Sequence, residues 1–206
     1  PCGRQFGPLL QLNQICGVRL RKGSLVVRGR KAVYLVALLG LLASGKICAQ
    51  EKSYDFELYE LSSKLFSMSR TRSASGVKLV AVDFFWDRCK PCKKALPSWT
   101  KLHEKFHDRG LRIVIVSIRQ DDDVPAARAK LKEYFRKHSA PYPVAFDKYN
   151  LVAKQYGVTS GDTNTVSLPQ VFLLDNEGKL VLQTEEAAKA GKEIEKRLGE
   201  QMKEGQ

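Results

Sequence analysis

From residue 77 onward the chain alternates between unbroken apolar runs and segments where apolar residues recur every three or four positions. Val77–Trp86 reads VKLVAVDFFW, nearly continuous and rich in β-branched and aromatic residues, as expected of a strand buried on both faces. Leu111–Ile118, LRIVIVSI, is a second such run, and QVFLL after Pro169 is a third. Between the first two, Lys93–His107 puts Ala95, Leu96, Trp99, Leu102 and Phe106 on one helical face; Pro97 should bend this helix and Gly110 stop it. Pro125–His138 predicts an amphipathic helix behind Asp121–Asp123, whose charges suit a helix N-terminus. A loop through Pro141 and Pro143 then leads to a shorter helix over Tyr149–Tyr156, and Gly157–Ser167 reads as a polar loop. Asp175–Gly178 is a hairpin turn returning into KLVLQT, and Glu185–Met202 predicts a terminal helix with Ala187, Ala188, Ile194 and Leu198 inward. Upstream, DFELYEL and KLFSMS are short extended pieces around Ser62-Ser63, followed by a polar loop, RTRSASG. Strands alternating with helices and closing on a hairpin give an α/β fold, with a mixed central sheet flanked by helices.

The N-terminal quarter follows another pattern. Residues 32–43, AVYLVALLGLLA, form an uncharged, mostly apolar run of twelve, too short for the roughly 20 residues of a spanning helix. Arg28-Gly29-Arg30-Lys31 precedes it and SGKICAQ follows, which is the layout of a secretory signal peptide over 28–49 cut after Ala49. An uncleaved N-terminal anchor is the alternative. Residues 1–27 show no period and are expected to be a disordered upstream extension, leaving 50–206 as the folded domain.

Charge and cysteine content take their meaning from that division. The net charge of +13 suggests nucleic acid until its distribution is considered. Residues 1–49 hold eight basic and no acidic residues, so the remainder, with 27 basic and 22 acidic residues, carries only +5. A polyanion-binding body, and with it a nucleic-acid partner, is not expected. Of five cysteines, Cys2, Cys16 and Cys48 lie in the leader, and only Cys89 and Cys92 belong to the domain. A disulfide closing so short a loop constrains the unfolded chain little, so the pair points to chemistry rather than to a scaffold. Cys89 falls where a buried strand passes into an amphipathic helix. The helix dipole and free N–H groups there favour thiolate, and Arg88 and Lys90 act in the same direction. Cys92, one turn along, is within reach of a mixed disulfide formed at Cys89.

The segment VDFFWDRCKPCKKALP resembles the active-site segment of thioredoxin-fold proteins, and the chain most resembles the TlpA/ResA-like exported thiol–disulfide oxidoreductases over about residues 54–200. The likeness runs through the DFELYEL opening, Asp83 six residues before the first Cys, CKPC, Pro97, and SLPQVFLLDNEGKLV. It implies a thioredoxin-like fold with a helical insert over 125–156, before a strand introduced by a cis-proline at Leu168-Pro169 that faces the cysteines. It implies catalysis by Cys89 and Cys92, with Asp83 as a buried carboxyl that takes and returns the Cys92 proton. Trp86, Arg88, Lys90, Pro91, Leu168 and Pro169 would border the substrate groove. No cofactor beyond the redox-active disulfide, and no metal, is implied. Partners would be protein dithiols or disulfides and an upstream electron donor, soluble or membrane-bound. The chain is expected to act as a monomer in an extracytoplasmic or periplasmic compartment, with disulfide reduction during cytochrome c maturation as one family role. Two departures fall at the groove: Arg88 stands where the family usually has Trp, and the loop before Pro169 is longer.

Three other readings compete. C-x2-C-x10-H-x3-H, ending in His103 and His107, approaches a zinc-finger spacing, but Pro97 interrupts it and the histidines read more simply as exposed helix residues. A peroxiredoxin-like peroxidase would want Thr and Pro ahead of its reactive Cys, which Phe84–Arg88 does not supply. The third is a thioredoxin-fold binding protein with an inert pair.

Overall fold

The computed structural model describes residues 52–119, 123–159 and 165–199; the expectations for 1–27, for the leader at 28–49, and for Asp121 and Asp122 lie outside them. A small hairpin opens the described chain, β1 (Glu57–Tyr59) antiparallel to β2 (Leu65–Ser67), turning through Ser63 at φ 71°. Next come α1 (Met68–Arg72), β3 (Leu79–Phe85), α2 (Lys90–Phe106), β4 (Leu111–Ile118) and α3 (Val124–His138). The chain continues with β5 (Val144–Asp147), α4 (Leu151–Tyr156), β6 (Gln170–Asp175), β7 (Leu180–Thr184) and α5 (Ala187–Gly199). The five other strands form one mixed sheet in the order β5-β4-β3-β6-β7, with β3, β4 and β5 parallel and β6 antiparallel to both of its neighbours, β3 and β7.

β3 is the central strand, and all seven of its residues are buried. Because side chains alternate across a sheet, its two faces divide cleanly. Leu79, Ala81 and Phe85 join the core under α2, α3 and α5, which includes Leu96, Trp99, Leu131, Phe135, Ile194 and Leu198. Val80, Val82 and Phe84 join the opposite core with Phe56, Met68, Tyr156 and Phe172. There Phe84, Tyr156 and Phe172 meet edge to face with centroids 4.9–5.7 Å apart, contacts worth about 0.5–1.5 kcal/mol each beyond burial.

Three segments depart from expectation. The RTRSASG stretch is not all loop, because Met68–Arg72 forms a short helix anchored by the buried Met68. The region after Pro143 contains a strand, so the insert at 125–156 is not purely helical. VAFD is only four residues long, below the length at which a period shows, but all four are buried. Its outer edge is covered by the opening hairpin, through Leu61 N–H to Val144 O at 2.9 Å and a bridge between Glu60 and Ala145, which closes an otherwise open sheet edge. Asp147 ends this strand and turns its buried carboxyl onto the N–H groups of Leu151 and Ala153 (3.0 and 2.8 Å), fixing where α4 begins. In α5 the inward residues are Ala190, Gly191, Ile194 and Leu198, while Ala188 is exposed.

Gly110 joins α2 to β4 by a short 3-10 turn, His107–Arg109, and a left-handed residue at φ 99°. A Cβ here would collide with Gly76 O, and the Gly110 carbonyl accepts from Lys78 and Leu79 N–H, so the first βαβ unit depends on this close approach.

Candidate active site

β3 delivers its last buried residue, Phe85, to a turn at Trp86–Arg88, and Cys89 then caps α2. The Cys92 N–H donates to Cys89 Sγ at 3.2 Å, and the Cys89 carbonyl accepts from Lys93 N–H at 3.1 Å. Pro91 sits in the first turn, where a missing N–H costs the helix nothing. The two sulfurs are joined in a disulfide. Cys89 keeps 8% of its surface exposed and Cys92 keeps none, so an incoming molecule meets Cys89 first. No acidic residue lies in the first turn of α2. Arg88 stands over the Trp86 ring at 5.8 Å, Lys93 over the Tyr134 ring at 5.1 Å, and Lys90 is exposed. Once the pair is reduced, this positive setting at a helix N-terminus favours thiolate at Cys89.

Asp83 shares the odd-numbered face of β3 with Leu79, Ala81 and Phe85, which turns it under α2. It is 1% exposed, and its Oδ2 accepts a 2.8 Å hydrogen bond from Trp99 Nε1, itself fully buried. Burial pushes the carboxyl up to about 8, against the Trp99 hydrogen bond, which pulls it down. Asp83 is therefore protonated at neutral pH and gives up its proton just above it. Tyr142 stands near enough to feel the Asp83 charge; its hydroxyl, 3.4 Å from Leu96 O, is pushed up to about 12 by burial.

The Trp99 bond was not anticipated in the sequence, although both signals were there. A buried indole N–H needs an acceptor. Trp99 lies two turns beyond Cys92 on the inward face of its helix, and the adjacent strand holds one lone carboxyl.

The Leu168–Pro169 peptide is cis. Pro169 directly precedes Gln170, which pairs with Phe84 near the end of β3, so the dipeptide lies at the end of the sheet from which Cys89 emerges. Trp86 and Leu168 are half-buried, each packed against both cores, and Arg88, Lys90 and Pro91 are exposed. His103 and His107 do not join this group. They sit about 16 Å or more beyond Cys92 along α2, at 1.5 Å per residue, too far to share one metal ion with the cysteines. Nor is His103 simply exposed. Its ring packs at 4.7 Å from His107 and 5.9 Å from Tyr142, and burial lowers its pKa.

The chain is similar to known proteins. The sequence model of the AhpC/TSA family matches residues 49–183. Thiol-disulfide oxidoreductase ResA of Bacillus anthracis is 30% identical over 106 residues, covering 52% of this chain and 54% of the relative. Its counterpart in Bacillus subtilis (strain 168) is 24% identical over 168 residues, 78% of this chain and 84% of the relative. The chain thus spans about half the length of the 30%-identical relatives. Among solved structures, the thioredoxin domain of a thiol-disulfide oxidoreductase from Bacteroides vulgatus superposes with a TM-score of 0.56 at 22% identity, over 70% of this chain and 93% of that one. StoA from Bacillus subtilis gives 0.51 at 17% identity, over 67% and 94%. The fold is thioredoxin-like.

Proposed function

The chain belongs to the AhpC/TSA family, and on that premise we propose that it is a thiol–disulfide oxidoreductase working through Cys89 and Cys92 on protein disulfides. The observation that carries this reading is the asymmetry of the pair, with Cys89 keeping a small exposed surface at a helix N-terminus and Cys92 sealed one turn deeper. In the reducing direction, the Cys89 thiolate attacks one sulfur of a substrate disulfide and expels the other as thiolate, leaving a mixed disulfide. Cys92 then loses its proton and attacks Cys89 Sγ. The second substrate sulfur leaves, and the Cys89–Cys92 bond closes. Two electrons have passed to the substrate, and a donor dithiol must restore the pair. Asp83 is the acceptor assigned to the Cys92 proton, a role that falls to its ionised form, whose share grows as pH rises towards about 8.

Cys92→Ser should trap substrate proteins on Cys89 as mixed disulfides stable to gel electrophoresis without reductant, and Cys89→Ser should trap none. Trapping by the Cys89→Ser protein alone would reverse the assigned roles. No exchange by the unmodified protein above the uncatalysed rate would remove the activity. Consumption of hydroperoxide faster than disulfide exchange would favour the peroxidase reading.

The basic flank, the twelve-residue apolar run and the Ile47-Cys48-Ala49 ending support export to an extracytoplasmic compartment, with Gln50 as the mature start. N-terminal sequencing of exported protein checks this; a chain retained intact in the membrane would mean an anchor instead. Reductase rather than oxidase action, with cytochrome c maturation as one setting, rests on the family resemblance. Equilibration of the couple against glutathione buffers decides the direction.

A further inference from the structure

Beside the cysteines a groove of about 630 Å³ runs between α2 and α3, floored by Leu96, Pro97 and Phe135 and walled on the α3 side by Tyr134 and His138. Its α2 wall carries Lys93, Lys94 and Lys101, against a single acidic residue, Glu104, at the far end. Lys90, Lys94, Pro97, Lys101 and Glu104 recur at helical spacing, so the positive stripe starts at the turn holding the redox pair and follows the groove. None of the ion pairs found among the described residues engages Lys94 or Lys101, and Lys93 is held over the Tyr134 ring at 5.1 Å. No step of the redox mechanism uses Lys94 or Lys101.

We propose that this groove docks an extended, acidic segment of the redox partner, its carboxylates on Lys94 and Lys101 and its apolar side chains over Tyr134 and Pro97. The inference rests on the oxidoreductase reading above and names the substrate class of that site. Dimensions and charge both support it. Lys94 and Lys101 are about 10 Å apart along the helix, the length of three extended residues, so the fitting segment carries acidic residues about three apart. The apolar floor beneath a cationic wall is a concave surface that accepts a strand of peptide. A flat lipid headgroup layer would reach only the wall. Docking here sets a substrate's cysteine within a few residues of Cys89 and raises its local concentration there.

The test uses three peptides of equal length, each with one internal disulfide and a flanking segment of Glu-Ser-Ser-Glu, Lys-Ser-Ser-Lys or all Ser. Their reduction is followed with the reduced full-length protein and with Lys94→Glu/Lys101→Glu. At low ionic strength the acidic peptide should react about tenfold faster than the all-Ser peptide, and the advantage should shrink at ~0.15 M salt. In the double variant that ratio should collapse towards one, and the lysine peptide should gain. Equal rates for all three peptides with the unmodified protein, or an acidic preference surviving in the variant, would overturn the proposal while leaving the oxidoreductase reading intact. Fluorescence anisotropy with serine-for-cysteine versions of the peptides tests docking without exchange. Tight binding of the acidic one, lost in the variant, supports the groove even where reduction fails. Lysine-dependent retention on phosphatidylglycerol vesicles, with no peptide preference, would make the stripe a membrane contact and refute the proposal.

Discussion

Replacing Asp83 by Asn should make the oxidised protein more stable at slightly alkaline pH and leave it unchanged at acid pH. The buried carboxyl has its pKa raised from 3.8 to about 8 by desolvation. In the unfolded chain it ionises around 4, so between these values the native state holds a proton that the unfolded state has lost. Stability from this group is therefore fully present below pH 4 and declines as pH rises towards 8, by ~1.4 kcal/mol per pH unit. Over the whole interval this sums to a ceiling of about 6 kcal/mol, and water entry and movement of Trp99 would bring the realised cost to about 2–4 kcal/mol. Asn has the shape of the protonated acid, carries no charge at any pH, and retains an oxygen for the Trp99 N–H. Urea unfolding of both proteins with the disulfide intact, at about pH 4, 6 and 8, measures the difference. Asp147, whose pKa is also raised by burial, titrates in both proteins and cancels. A gap between the two proteins that opens with pH confirms that Asp83 is held protonated. A gap of constant size, or an Asn variant less stable at pH 8, would show that the carboxyl ionises at no cost, and the raised pKa that suits it to the Cys92 proton would fall with it.

Trp99→Phe removes the donor that favours the ionised form of Asp83, worth about 1.5–3 kcal/mol for a hydrogen bond to a charged group. The pH at which resolution of the mixed disulfide switches on should rise by about 1–2 units, while a rate profile identical to the unmodified protein's would deny the coupling. Gly110→Ala should cost about 2–4 kcal/mol in urea unfolding, because it adds a Cβ at φ 99° against Gly76 O; a loss below about 0.5 kcal/mol would mean that the α2–β4 connection yields easily.

Local chemistry is legible wherever it follows from neighbours in sequence. A β-branched and aromatic run of strand length reads as a buried strand, and CKPC at its junction with a helix is placed on the dipole without any tertiary information. The hairpin at Asp175–Gly178 and the stop at Gly110 are equally local, each set by backbone conformations that few residues permit. Asp83 could be recognised as out of place in an apolar run, but not the face it occupies, because register against β4 and β6 decides that. Its bond to Trp99 joins residues 16 apart on different elements, and only the packing of α2 on β3 brings them to 2.8 Å. β5 was hidden for a related reason. Four residues carry too little pattern to declare a strand, and VAFD becomes one because β4 pairs with it and the opening hairpin covers its other edge. The groove along α2 likewise needs α3 as its second wall, so the lysines alone read as an ordinary solvated face. The sequence determined which residues could do redox chemistry. Tertiary packing decided which groups stand beside them, because burial, and the pairing it compels, is a property of the assembled layers and not of any one segment.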